Sequence, residues 1–470
     1  MSMPGKIKLL LVLLFLYLQS HSQFAEPVKD SLYSNILGEE RELKIVLPTA
    51  YATDTASYDV WYAVDGEWDT YLHSNIFGYL TAMGFAPPVI IVRVRNRYVN
   101  GFNLRDRDLT PTRWKDVDSS GGADRFLDYI EKELMPYVRK KFRTSGESAL
   151  IGSSYGGMFT IYTMLKRPSL FRFYITADPA LQFDNNFVPR LAAQTISGGR
   201  FSNTVLNIGG RSGLSYHSMG RDMMDSILQK EAPAGLHWRS ALYDDETHSS
   251  SVFKSTYDGI KYAYLGYSVR NAQIQPTAGI ILKDRPVRLF IPTDHADIHY
   301  STNGNEPAKI DPKVEEFLIV SDPEKLRVKS FSPSGRYDRL MPIGLRSGDY
   351  MTAKKITVKK ADLKKLDSSF RPDGTGVMNG YVSIQKDGYY VLQLTPSTGT
   401  KLFFNDSLLV NADAAMGHSR QTIILPLRKG NYLLRIDHPS KNAGDPALGF
   451  GFYSSADGQD DWWRNPVVRW

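Results

Sequence analysis

From about residue 40 to 265, short apolar runs alternate with amphipathic segments. The runs 43–47, 60–64, 89–94, 149–151, 173–176, 205–208 and 238–243 predict strands. Several are continuously apolar, as central strands covered on both faces require. Phe126, Leu127, Ile130, Leu134, Tyr137 and Val138 recur at helical spacing and predict a helix over 123–141. Two more helices are predicted over 155–166, ending before Pro168, and over 219–230. This alternation specifies a mostly parallel sheet with helices on both sides. Beyond Tyr267 helical periodicity fades, and short strands at 287–291, 298–301, 317–320, 326–330, 381–384, 389–394, 401–404, 422–425 and 432–436 take over. Turn signals such as Asn303-Gly304, Asp387-Gly388 and Lys429-Gly430 punctuate them, which predicts β-sandwich modules. The lysine-rich stretch 354–365 and the Pro/Gly stretch 371–376 place a division near 360. The expected organisation is an α/β unit at 27–268, a sandwich at 275–358 and a second sandwich at 365–470.

A length of 470 residues exceeds one compact core. At the N-terminus, Lys6 and Lys8 precede an apolar run over 9–18, followed by Gln19-Ser20-His21-Ser22. That order predicts a secretory signal peptide over 1–22 and a secreted or periplasmic protein, with no membrane association after cleavage. Cysteine is absent, which excludes disulfides and a thiol nucleophile. The formal charge of +7 loses the contributions of Lys6 and Lys8 with the leader, and no dense basic stripe accompanies it, so nucleic acid is not an expected partner.

The chemistry centres on Gly152-Ser153-Ser154-Tyr155-Gly156-Gly157, between the strand 149–151 and the helix 155–166. In that context G-x-S-x-G forms a nucleophile elbow, with small residues letting the backbone turn sharply and expose the Ser154 hydroxyl. A serine nucleophile needs a base, an orienter for the base and donors for the oxyanion. His248 follows the last strand of the α/β unit and is the expected base, ahead of His217 and His237. The acid should follow the strand 205–208, where Gly209-Gly210-Arg211-Ser212-Gly213 contains none. Asp222 on the next helix is the choice, with a Ser–His dyad or an acid from elsewhere as alternatives. The backbone N–H of Tyr155 and those of Gly66 and Glu67, in the turn after 60–64, are the expected oxyanion donors.

These residues resemble the esterase family of α/β-hydrolases that includes esterase D, feruloyl and acetyl-xylan esterases and enterobactin-type siderophore esterases. The matching pieces are Tyr62-Ala63-Val64-Asp65-Gly66, Arg105-Asp106-Arg107-Asp108-Leu109-Thr110-Pro111, Gly121-Gly122-Ala123, Glu133-Leu134-Met135-Pro136 and the elbow. The resemblance implies an α/β-hydrolase fold, a Ser154/His248 pair and hydrolysis of carboxylic esters without a cofactor. Two departures stand out: Ser153 replaces a frequent histidine, and the usual acid position is empty. Residues 296–307 resemble a chitobiase C-terminal sandwich and 380–451 a PA14-type module, both of which accompany glycan-active enzymes. His295 and His299 with Asp294 and Asp297 sit at a strand start, whose alternating sides scatter them, so no metal is expected.

The expected function is exported hydrolysis of feruloyl or acetyl esters on a polysaccharide or oligosaccharide. The alternatives are a siderophore ester as substrate, and a non-catalytic glycan-binding protein that keeps the hydrolase shape.

Overall fold

The computed structural model describes residues 27–65, 71–115, 117, 119–293, 295–354, 364–365, 376–412, 420–438 and 449–455. The expected leader at 1–22, the expected oxyanion donors Gly66 and Glu67, Asp294 and most of the 354–376 stretch lie outside them. The chain forms two units, Met1–Ser268 with Ser332–Tyr337, and Val269–Phe331 with Asp338–Trp470.

The first unit is built on eight strands: β1 (Val28–Ser34), β2 (Glu39–Val46), β3 (Tyr58–Val64), β4 (Val89–Val94), then a small hairpin β5 (Tyr98–Val99) and β6 (Phe102–Asn103) outside the sheet, and β7 (Thr144–Ser153), β8 (Phe173–Ala177), β9 (Thr204–Arg211) and β10 (Leu236–Tyr243). Their order is β1-β2-β4-β3-β7-β8-β9-β10. Strands β1, β2 and β4 pair antiparallel, and every pair from β4 through β10 is parallel. This is the α/β-hydrolase arrangement. The apolar runs are continuous because the sheet is covered twice. Val60, Tyr62 and Val64 join one core with Phe126, Leu134, Met158 and Phe159, while Trp61 and Ala63 join the other with Ile76, Phe77 and Ile260. Burying both faces requires apolar side chains at successive positions.

The helix expected over 123–141 is three pieces: Ala123–Tyr129, a π turn Ile130–Leu134, and Met135–Lys141. Pro136 explains the break. It cannot donate to the ladder, and its ring crowds the preceding turn, so the hydrogen bonding widens just before it. Among the described residues no helix is long and apolar enough to cross a membrane.

In the second unit the strands are β11 (Ala278–Ile281), β12 (Val287–Phe290), β13 (Asp297–Ser301), β14 (Phe317–Val320), β15 (Arg327–Phe331), β16 (Arg339–Met341), β17 (Gly344–Ser347), β18 (Lys364–Lys365), β19 (Gly376–Ile384), β20 (Gly388–Thr395), β21 (Lys401–Phe404), β22 (Ser407–Asn411), β23 (Gln421–Leu427), β24 (Gly430–His438) and β25 (Gly449–Ser455). One five-stranded sheet runs β17-β11-β23-β20-β25 and another β18-β19-β24-β21-β22. Two expected modules, 275–358 and 365–470, thus share a sheet: β11 pairs with both β17 and β23. Tyr389, Val391 and Ile424 also pack into the core built around Ile281, Val287 and Val328.

Candidate active site

Strand β7 ends at Ser153, and the chain then turns into α5 (Tyr155–Lys166), the helices before it being α1 (Leu72–Ala82), α2 (Arg105–Leu109), α3 (Ala123–Tyr129) and α4 (Met135–Lys141). Ser154 carries the turn with φ 54° and ψ −117°, a conformation that costs a residue with a Cβ on the order of 1–3 kcal/mol. Backbone hydrogen bonds hold it there. Its N–H donates to the Ala177 carbonyl at 3.0 Å, and its carbonyl accepts from Met158 and Ala180 at 3.0 Å each. The turn is tight enough that a Cβ on Gly152 would lie 2.4 Å from the Gly156 backbone, so only glycine fits. Tyr155 opens α5, where the first backbone N–H groups have no acceptor within the helix.

The residue after Ala177 completes the arrangement. Asp178 directly follows β8 with φ 43° and is fully buried. Its N–H donates to the Gly209 carbonyl at 2.7 Å. Its Oδ2 accepts from His248 Nδ1 at 2.7 Å and from Arg211 Nε at 2.6 Å, and its Oδ1 accepts from the Arg211 N–H at 3.2 Å. Burial raises the Asp178 pKa, but the hydrogen bonds from His248 and Arg211 and the Arg211 charge outweigh it, and the net shift is downward. The ionised carboxylate fixes the proton of His248 on Nδ1 and leaves Nε2 as a proton acceptor. The ring itself is 43% exposed.

Asp222 is therefore not the partner of His248. It starts the helix α8 (Arg221–Glu231), after α6 (Phe183–Thr195) and α7 (Leu214–Ser218), and binds His217 Nδ1 at 2.8 Å on the surface. His237 lies within β10, opposite Val205. The sequence reading missed Asp178 because it sought the acid after β9. The available signal was the Asp-Pro pair that directly ends the apolar run of β8.

On the other side of the elbow, Asp65 directly follows β3 with φ 59°. Its carboxylate accepts from Asn96 Nδ2 at 2.7 Å and from Arg105 Nε at 3.1 Å, and the Arg105 guanidinium sits 5.1 Å from the Tyr155 ring centre. The 105–111 motif is a clamp for this contact. Arg107 binds Glu39 at 2.6 Å and Asp108 at 2.8 Å, Asp108 binds buried Arg41 at 2.6 Å, and Thr110 Oγ1 accepts from Gly121 N–H at 2.8 Å. Phe183 meets Tyr155 edge-on at 5.7 Å and Trp114 at 5.4 Å, forming an aromatic wall beside the serine. In the second unit, His299 directs Nδ1 to the Asp311 carbonyl and Nε2 to Asp297.

The arrangement offers a hydroxyl on a sharp turn at a helix start, an imidazole in a fixed tautomer and a buried carboxylate to orient it. Over part of its length the chain is similar to known esterases. The family described as "Putative esterase" matches residues 34–201. Over 84 residues the chain is 38% identical to the siderophore enterobactin esterase of Emericella nidulans, covering 17% of this chain and 28% of that protein. Over 175 residues it is 25% identical to the ferri-bacillibactin esterase BesA of Bacillus subtilis, covering 33% of this chain and 58% of that one. The chain thus spans less than two thirds of either curated relative. The solved IroE-like serine hydrolase of Shewanella oneidensis is 31% identical, with a TM-score of 0.47, covering 51% of this chain and 81% of that one.

Proposed function

We propose, from the premise that the chain belongs to the Putative esterase family through residues 34–201, that its first unit hydrolyses carboxylic esters with Ser154 as nucleophile. The observation that carries this reading is the His248 Nδ1–Asp178 Oδ2 hydrogen bond of 2.7 Å, beside an elbow that holds Ser154 at φ 54°. Ser154 Oγ attacks the ester carbonyl while His248 Nε2 takes its proton. Asp178 stabilises the imidazolium that forms, and His248 then protonates the leaving alcohol. Water repeats the sequence on the acyl-enzyme. The Tyr155 N–H, with those of Gly66 and Glu67, is assigned to the developing oxyanion.

The substrate class assigned is a siderophore ester, in place of the acylated polysaccharide expected from the later modules. The names of the curated relatives support it. Export by the 1–22 leader belongs to the same proposal. The test compares wild type with Ser154→Ala on a nitrophenyl ester, on a triscatecholate trilactone and on feruloylated or acetylated xylan. The expected result is hydrolysis of the first two, falling at least about 10³-fold in the folded variant. Cleavage of xylan esters alone would return the substrate to polysaccharide. No Ser154-dependent turnover on any of them would leave a hydrolase-shaped binding protein.

A further inference from the structure

We propose, resting on the serine-hydrolase reading above, that Arg211 is a positioning residue of the site: it fixes the Asp178 carboxylate and, as a permanent cation, limits how strongly that carboxylate stabilises a protonated His248 ring. Arg211 is the last residue of β9 and reaches Asp178 twice, through its backbone N–H at 3.2 Å and its Nε at 2.6 Å. The Nε contact falls on Oδ2, the oxygen that also accepts from His248 at 2.7 Å. One carboxylate oxygen thus serves a guanidinium and an imidazole together. The backbone is built for this approach. A Cβ on Gly210 would lie 2.5 Å from Asp178 Oδ1 and 2.7 Å from Arg221 Nη1.

Other charges surround the carboxylate, and Arg221 among them acts on Asp178 electrostatically. Arg221, buried at the start of α8, donates to the Ile208 and Ala241 carbonyls at 3.1 and 3.2 Å, and Asp225 on the same helix accepts from Ser240 at 2.7 Å. On the loop that carries His248, Asp244 accepts from Ser212 at 2.5 Å, and Glu246 pairs with Lys254 at 2.7 Å. Asp245 is on this loop too, Tyr243 and Tyr216 lie near Arg221, and His217 pairs with Asp222 on the surface. Among the described residues, Arg211 is the cation that pairs directly with Asp178.

A buried carboxylate facing only an imidazole would favour the imidazolium strongly. With Arg211 on the same oxygen, part of the carboxylate's attraction goes to the guanidinium instead of the imidazolium. Gln at 211 would keep a donor without the charge, whereas Lys would keep the charge without the planar Nε geometry.

The experiment uses the full chain with isotope-labelled histidine, the His248 signal being assigned by its loss in His248→Asn. In Arg211→Gln the ring's titration midpoint and the acid limb of kcat/KM on a nitrophenyl ester should both move up by about 0.5–1 pH unit, a three- to tenfold gain in proton affinity. Arg211→Lys should move both by less than half as much. Both variants should lose plateau kcat as Asp178 loosens. An unmoved midpoint in Arg211→Gln would overturn the proposal, and equal shifts in both variants would refute its charge component. In the wild type, the Arg211 Nε–H resonance should follow the His248 titration, which reads the shared oxygen even if a variant fails to fold; an invariant resonance would also overturn it. These titrations do not depend on turnover. Intact coupling without Ser154-dependent hydrolysis therefore sinks the esterase reading alone.

Discussion

Two carboxylates were candidates to orient His248, and their surroundings separate them. Asp178 is fully buried and directed at Nδ1, whereas Asp222 is on the surface with His217. Asp178→Asn should lower kcat by about 10²–10⁴, because the amide no longer selects the Nδ1–H tautomer or balances the imidazolium. Asp222→Asn should stay within about twofold of wild type, its exposed pair being worth little. Steady-state kinetics on one ester decide between them. A second residue sets acid stability. His73 on α1 is buried, and burial, reinforced by Arg93, drives its pKa from 6.5 down to about 3. Its unfolded ring takes a proton that the folded ring refuses, so stability should be full above the ordinary histidine range and fall as pH drops from about 6.5 toward 3. His73→Leu should narrow the gap between urea midpoints at pH 7 and pH 5. An unchanged gap would assign the acid sensitivity to other groups.

Among the elements, the β7–Ser154–α5 junction depends on close backbone approach. Gly152→Ala brings a methyl 2.4 Å from the Gly156 backbone, which has no flexible end to give way. Expected is a loss of about 1–3 kcal/mol in stability and a drop in kcat/KM as the elbow opens. Thermal unfolding with parallel kinetics measures both. The strand–turn–helix pattern was legible because every part of it is local: an apolar run, two glycines and a helical repeat within about twenty residues. The start of α6 was not legible. Asp184, Asn185 and Asn186 take three successive left-handed conformations there, with the Asp184 carboxylate accepting from Thr112 Oγ1 at 2.7 Å. Asp and Asn tolerate that region, but nothing in their order announces a run of three.

At the scale of the molecule, residues 332–337 belong to the first unit although their neighbours in sequence belong to the second. Arg336 pairs with buried Asp59, which also accepts from Ser145 at 2.6 Å and Tyr264 at 3.0 Å. Tyr337 packs edge-on to Tyr267 at 5.4 Å. Arg336→Ala should destabilise this unit by about 1–3 kcal/mol, since it strands a buried carboxylate while the guanidinium itself is 35% exposed. Adding Asp59→Asn should restore part of the loss in urea unfolding. The same distinction of scale separates what was readable from what was not. Apolar runs, helical spacing and the glycines of the elbow expressed a parallel sheet, its covering helices, a β-rich second half and the neighbourhood of Ser154 and His248, because each is a property of adjacent residues. The choice of Asp178, the sheet that unites β11 and β17 with β23, and the transfer of 332–337 to the first unit were decided only by folding. Each joins groups tens to hundreds of residues apart, and the packing that brings them together is encoded by no local pattern.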